Sequence, residues 1–183
     1  MEFDETTNRD FHTYIGFCIT AWAKVEEELF DVCQKCLGTP RTQAAIVYYR
    51  TPTLNGRLEL VDELVLAALP QRERKSGGHD SAEVKAWRTI KADLADLLKT
   101  RSRIAHHPVS VRFRTKGSLG TPAMPELQTS FEIYMSGREQ ARPRSGGSKP
   151  LTVTHLVHHC LHLQKMVERL KTFASTTLRA HLK

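Results

Sequence analysis

Apolar residues recur at steps of three and four along most of this 183-residue chain, and this spacing constrains its fold more than any other feature. Such a period places the apolar side chains along one face of an α-helix. The spacing predicts helices from about Phe11 to Leu37, from Arg41 to Arg50, from Leu54 to a stop at Pro70, from about Ser81 to a stop before Pro108 and from about Thr152 to Leu182. We therefore expect a mainly α fold.

Residues that cap helices, and residues that cannot continue them, set the expected boundaries. They are Thr7 or Asn8 before the first helix, Gly38 after it, Thr39 followed by Pro40 before the second, and Asp80 or Ser81 before the fourth. A charged, glycine-containing loop at 70–80 precedes the fourth helix.

The apolar period shortens to two after the fourth helix. Val109, Val111 and Phe113 alternate with polar residues, and a second alternating run extends from Leu127 to Met135. Alternation of this kind is typical of β-strands. The pattern predicts a small β-hairpin, inserted at about 108–136 before the last helix, and a mobile basic loop at about 136–150. We predict a single domain, residues 1–183, built as a bundle of about five helices with this insertion.

Composition favours a cytoplasmic protein. Apolar runs such as Leu64–Leu69 are too short to span a membrane, so we expect no membrane partner. The first residues, Met1–Glu5, are acidic where a secretory signal is basic and then apolar. Four cysteines are too few for a disulfide scaffold at this length, so we expect reduced thiols.

The net charge of +7 is unevenly distributed along the chain. Residues 1–98 carry 12 Lys or Arg and 16 Asp or Glu, whereas residues 99–183 carry 15 and 4. The stretch from Lys99 to Lys116 contains basic residues and no acid. It is either a solvated basic face or the electrostatic footprint of a polyanion such as RNA.

The segment Arg101-Ser102-Arg103-Ile104-Ala105-His106-His107 brings an arginine and two histidines to the end of the fourth helix. The apolar spacing places Arg101 on the buried side of the helix, and Pro108 is expected to release the histidines from it. A guanidinium holds phosphate oxygens through a planar donor fork, and an imidazole exchanges protons near neutral pH. This combination suits cleavage of an RNA backbone without a metal.

The same segment resembles the signature of HEPN domains, the higher-eukaryote and prokaryote nucleotide-binding superfamily. Members are bundles of four or five helices that carry an arginine, four to six residues and a histidine near the end of a long helix. Arg101 and His106 match this form with four intervening residues, and His107 would match it with five. The family's usual Asn, Asp or His after the arginine is Ser102 here.

The resemblance implies a metal-independent endoribonuclease of toxin or defence type, acting as a homodimer with RNA as its partner and without a cofactor. It also implies a possible antitoxin partner. The implied catalytic residues are Arg101, Ser102, His106 and His107, and the implied RNA-binding residues are Arg103, Arg112, Arg114 and Lys116. The alternative is a catalytically inactive HEPN-like protein that binds nucleotide, RNA or a protein partner.

Structural roles also remain open for these residues. Arg101 could pair with an acid among Glu26–Glu28, and His106 could cap its own helix. Cys33 and Cys36 form a Cys-x2-Cys motif inside a predicted helix, so we interpret them as buried thiols. In the last helix, His155, His158, His159 and His162 include pairs spaced as helical metal ligands, but no nearby carboxylate completes a set, and we predict no metal site.

Overall fold

The computed structural model describes residues 5–69, 80–106, 109–116, 126–133 and 151–178. Its helices are α1 (Glu5–Leu37), α2 (Arg41–Arg50), α3 (Leu54–Ala68), α4 (Ala82–His106) and α5 (Val153–Thr172), followed by a π-helical turn (Phe173–Leu178). The mainly helical fold predicted from the apolar spacing is confirmed. No helix among these residues has both the length and the apolar character needed to cross a membrane.

Two strands, β1 (Val109–Lys116) and β2 (Glu126–Ile133), pair antiparallel between α4 and α5. Val109 lies opposite Ile133, and Lys116 lies opposite Glu126. The connection at 117–125 and the predicted mobile loop at about 136–150 lie outside the described residues.

The start of α1 differs from the prediction. The helix includes Thr7 and Asn8, so neither residue is its N-cap. The apolar stripe begins only at Phe11, but Glu5 and Asp10 favour the positive end of the helix dipole and allow it to begin earlier. The predicted stop is confirmed, because Gly38 has a φ of 61° and its N–H donates to the carbonyl of Gln34.

One side-chain hydrogen bond caps the N-terminus of α3, and another caps that of α4. Thr53 caps α3 by accepting from the Gly56 N–H at 3.0 Å, and Ser81 caps α4 by accepting from the Val84 N–H at 3.3 Å. The predicted cap at Thr39 is wrong, because Pro40 is the N-cap of α2 and the Thr39 hydroxyl makes no hydrogen bond within the described chain.

The chain divides into two compact units, Met1–Ile19 with Thr100–Cys160, and Thr20–Lys99 with Leu161–Lys183. The prediction of one domain over 1–183 stays a prediction. The first unit has a small apolar core, which contains Phe11 and Cys18 of α1, Ile104 of α4, Leu156 of α5, and Leu151, two residues before α5. This core holds the end of α4 and therefore positions the Arg/His segment.

The second unit contains a larger core made from all five helices. Trp87 is fully buried, stacks 5.3 Å from Phe173, and donates from Nε1 to the Asp62 carboxylate at 2.8 Å. Arg57 pairs with Glu26 at 3.1 Å and joins α3 to α1. A buried aromatic with its polar atom satisfied, together with a cross-helix ion pair, fixes the packing of α1, α3 and α4.

The last helix does not continue as one α-helix to Leu182, as the spacing predicted. It changes to π geometry at Phe173–Leu178, and residues 179–183 lie outside the described chain. The carbonyl of Thr172 accepts from the hydroxyls of Ser175 at 3.2 Å and Thr176 at 2.7 Å. Hydroxyl groups that bond back to the helix carbonyls compete with the α-helical pattern, which explains the change.

Candidate functional site

Residues Arg101 to His106 of the Arg/His segment form the C-terminal end of α4. The buried stripe of this helix consists of Val84, Trp87, Ile90, Leu94, Leu97 and Ile104. Arg101 follows Leu97 by four residues, precedes Ile104 by three, and is half-buried. This half-burial agrees with a position of Arg101 on the apolar side of the helix, which stays a prediction.

Arg101 has no hydrogen bond or ion pair with any residue that the structure describes. Of the acids considered as structural partners, Glu26 pairs with Arg57 at 3.1 Å and Glu28 lies 3.9 Å from Lys171. When a partly buried guanidinium has no ion pair, all of its N–H groups can donate hydrogen bonds to a bound anion. Arg101 can therefore donate to an anion without first breaking an ion pair to a described residue.

His106 is the last residue of α4 and is exposed. The expectation that Pro108 would release it from the helix is wrong for this residue. A proline disfavours helical geometry at the residue directly before it, which is His107, so His106 can remain helical. His107 itself lies outside the described residues.

Helix geometry decides which of these side chains can face the same ligand. Ser102 and His106 are four residues apart and share one face, whereas Arg101 and His106 are five apart and diverge by about 140° around the axis. No hydrogen bond joins any two of the three side chains. One helix therefore presents a Ser/His face and, separately, an arginine that has no ion pair with a described residue.

The four residues predicted to bind RNA lie in two places. Arg103 is half-buried beside Ile104 and is engaged in an interaction. Arg112, Arg114 and Lys116 occupy alternate positions of β1, opposite Ser130, Gln128 and Glu126. They follow the motif helix directly in the chain.

The histidines of α5 fall into different environments. His155 accepts at Nδ1 from the Thr152 N–H at 3.2 Å, which is the reciprocal half of a helix-capping box. His159 is buried, whereas His158 and His162 are exposed. Within the described ranges no group of three or more potential ligands is arranged to hold a metal.

The thiols of the Cys-x2-Cys motif belong to the apolar core. Cys33 is fully buried and Cys36 packs against the same cluster. Burial raises the pKa of Cys33 to about 11, and burial with the neighbouring Cys33 raises the pKa of Cys36 to about 12. The interpretation of these residues as buried thiols is confirmed.

Sequence reasoning missed a second cysteine pair. Cys18 of α1 and Cys160 of α5 lie with their sulfur atoms 2.8 Å apart. Both residues belong to the predicted apolar stripes of the first and last helices, but nothing in the spacing of either stripe indicates that they meet.

A groove of about 500 Å³ between α4 and the end of α5 was also not predicted. Ile90 and Phe173 form its apolar floor, and hydroxyls such as those of Thr89 and Thr172 line it. Its one arginine, Arg169, pairs with Asp93 at 2.6 Å. The groove contains no arginine and histidine together, so α4 remains the candidate site.

No protein-family model, curated protein or solved structure matches this chain.

Proposed function

We propose that this protein is a metal-independent endoribonuclease of the HEPN type. The observation that carries the proposal is the half-buried Arg101, which has no charge partner in the described chain and lies one turn from an exposed His106. A site of this kind needs an anionic ligand to compensate the guanidinium, and a backbone phosphate supplies it.

The proposed reaction is attack of an RNA 2′-hydroxyl on the adjacent phosphate. A base must accept the hydroxyl proton and an acid must protonate the leaving oxygen. His106, or His107 beside it, serves as this base or acid, and Arg101 stabilises the charge that develops on the phosphate oxygens. Ser102 shares the face of His106 and orients it or the phosphate.

Two copies of the chain complete the site in this proposal. Because Arg101 and His106 diverge by about 140° on one helix, a single copy does not aim both directly at one phosphate. A two-fold axis beside the end of α4 would place Arg101 of one copy near His106 of its partner. It would also supply one histidine as base and the other as acid.

The resemblance suggests a cytoplasmic toxin or defence protein, with an antitoxin as a possible protein partner. The positive balance of residues 99–183 supports RNA as the substrate, because the charge continues from the motif into β1. Arg103, Arg112, Arg114 and Lys116 would follow the RNA backbone.

Cleavage assays with matched variants test this function. The purified protein is incubated with structured and unstructured RNA, with and without a chelator. Cleavage should survive chelation and fall by about 100-fold or more in Arg101→Ala and His106→Ala. Arg50→Ala and His162→Ala, which remove exposed residues outside the motif, should retain full activity. Cleavage that needs a divalent metal, or that persists in both motif variants, would refute the proposal.

A catalytically inactive, RNA-binding protein is the second candidate. Two observations favour it: Ser102 replaces the longer polar residue of the family signature, and Arg101 and His106 make no mutual contact. In this case RNA binds without being cleaved, and Arg101→Ala weakens binding whereas His106→Ala does not. If RNA is cleaved, comparing His107→Ala with His106→Ala identifies the working histidine, since only substitution of that histidine should abolish cleavage.

A further inference from the structure

The contact between Cys18 and Cys160 carries an inference that is independent of the proposed ribonuclease site. The two sulfur atoms lie 2.8 Å apart, although the residues are 142 positions apart in the chain. Two sulfur atoms that meet this closely need only a small further approach to form a disulfide, whose S–S bond is about 2.05 Å long. Neither residue is bonded to another cysteine.

The surroundings of the pair favour a disulfide over a metal site. Cys18 is 2% exposed, packs with Phe11 and Ile104, and donates to the carbonyl of Leu156 at 3.4 Å. No third ligand completes a metal-binding group with the two thiols in the described part of the chain. Zinc bound by protein usually has at least three protein ligands, so two sulfur atoms in an apolar core do not form such a site.

We propose that Cys18 and Cys160 form a redox-responsive dithiol, which closes to a disulfide when a peroxide oxidises Cys160. Cys160 is half-buried, whereas Cys18 is enclosed in the core. The order of the steps follows from this difference in exposure.

In the first step the Cys160 sulfur, as a thiolate, attacks one oxygen of hydrogen peroxide. The O–O bond breaks, hydroxide leaves, and Cys160 becomes a sulfenic acid. In the second step the Cys18 sulfur attacks the Cys160 sulfur, the S–O bond breaks, and the departing hydroxide takes the Cys18 proton to form water. The two thiols lose two electrons together, and the peroxide is reduced to two molecules of water.

The acidity of Cys18 supports this order. Burial, together with its hydrogen bond to Cys160, raises the pKa of the Cys18 thiol far above the ordinary value. A thiol held in its protonated form is a poor nucleophile toward free peroxide. It reacts only once a sulfenic acid has formed in direct contact with it.

Closure would link α1 to α5 in the core that also holds Ile104, two residues before His106. The link would close a loop of about 140 residues, and disulfides that close long loops restrict the unfolded chain most. We expect oxidation to raise Tm by about 5 to 10 °C.

Peroxide treatment of the full chain, followed by denaturation, alkylation and peptide mass spectrometry, tests the proposal. The expected product lacks two hydrogen atoms and contains a peptide joining Cys18 to Cys160, and a phosphine reductant reverses the change. Cys160→Ser and Cys18→Ala should each abolish both the linked peptide and the rise in Tm. Circular dichroism verifies that these variants are folded.

The matched control is the double variant Cys33→Ala/Cys36→Ala, which removes the other two cysteines and should retain the linked peptide and the rise in Tm. The proposal is overturned if peroxide converts Cys160 to a sulfinic acid while Cys18 remains alkylatable. It is equally overturned if the new bond joins Cys33 to Cys36 or links two chains.

Discussion

Arg101 differs from Arg57, which is also partly buried, in how its charge is compensated. Arg57 pairs with Glu26 at 3.1 Å, and its guanidinium lies 5.4 Å from the centre of the Tyr48 ring. Arg101 has no such partner among the described residues, although it occupies the apolar stripe of α4. An uncompensated charge at such a position costs stability, which is expected of a residue retained for a ligand.

This contrast predicts opposite effects of the same substitution at the two arginines. Arg101→Leu should raise Tm by about 2 to 4 °C, because it replaces an unpaired charge between Leu97 and Ile104 with an apolar side chain. Arg57→Leu should lower Tm by a similar amount or more, because it leaves Glu26 without its partner. Thermal unfolding of both variants measures the difference. If Arg101→Leu is as destabilising as Arg57→Leu, Arg101 has a structural partner and the argument for a ligand is lost.

Glu28 gives a prediction on pH. Burial raises the pKa of this carboxyl above its ordinary value, and the opposing attraction of Lys171, 3.9 Å away, is the smaller effect. The folded state therefore binds more protons than the unfolded state between the two pKa values, so this group costs stability as pH rises through that interval. Glu28→Gln should increase the urea midpoint at neutral pH. The gain should vanish at about pH 3, where the carboxyl is protonated in both states.

Glu63 of α3 is exposed and does not contribute to the raised pKa of Glu28, so it provides the control for this experiment. Glu63→Gln should leave the urea midpoint almost unchanged at either pH. A Glu28→Gln gain that persists unchanged in acid would show that the amide stabilises the fold for a reason other than ionisation.

At the scale of the elements, the sequence predicts what depends on periodicity and misses what depends on single hydrogen bonds. The bounds of α2 and the buried stripe of α4 agree with the prediction, because both follow from apolar spacing. Apolar spacing does not predict the early start of α1 or the π-helical turn. It also does not predict that the Thr39 hydroxyl makes no hydrogen bond within the described chain. Each of these depends on which local donor reaches which carbonyl, and several choices are compatible with one apolar pattern.

The two helical glycines predict a further contrast between elements. Gly16 is exposed on α1, and a Cβ added there meets no atom within 4 Å. Gly16→Ala should stabilise the protein by about 0.5 to 1 kcal/mol, because alanine favours the helix over glycine. A Cβ at Gly56 would lie 2.9 Å from Cγ2 of Thr51 and 3.0 Å from Oγ1 of Thr53, the N-cap of α3.

Gly56→Ala should therefore destabilise the protein despite its better helix propensity, because it displaces the cap, which is worth about 1 kcal/mol. Urea unfolding of the two variants provides the comparison. An equal gain from both substitutions would mean that the Thr53 cap adjusts without cost.

At the scale of the whole molecule, the candidate site could be predicted only in part. The position of Arg101 on the apolar side follows from helix spacing, and its lack of an acidic partner among the described residues required the structure. The contact between Cys18 and Cys160 could not be predicted from the sequence, because the apolar spacing of a helix does not show which distant helix it packs against. The uneven charge, by contrast, is a property of the sequence alone and leads to a prediction for the whole chain.

If the basic residues after the motif helix bind RNA, their neutralisation should change the salt dependence of binding. Arg112→Gln, Arg114→Gln and Lys116→Gln together remove three charges from β1. For single-stranded RNA, each lost phosphate contact reduces the slope of log K against log salt by about 0.7, so the triple variant should lose about 2 from the slope. Fluorescence anisotropy with labelled RNA, in a His106→Ala background that prevents cleavage, measures this slope.

The matched control is a triple variant at Lys24, Lys35 and Arg50, which are all exposed and lie in the acidic part of the chain. This variant should bind RNA with the original slope. If the slope falls equally in both variants, RNA binding depends only on the net charge of the protein. The acid-free stretch from Lys99 to Lys116 is then a solvated surface and not an RNA-binding site.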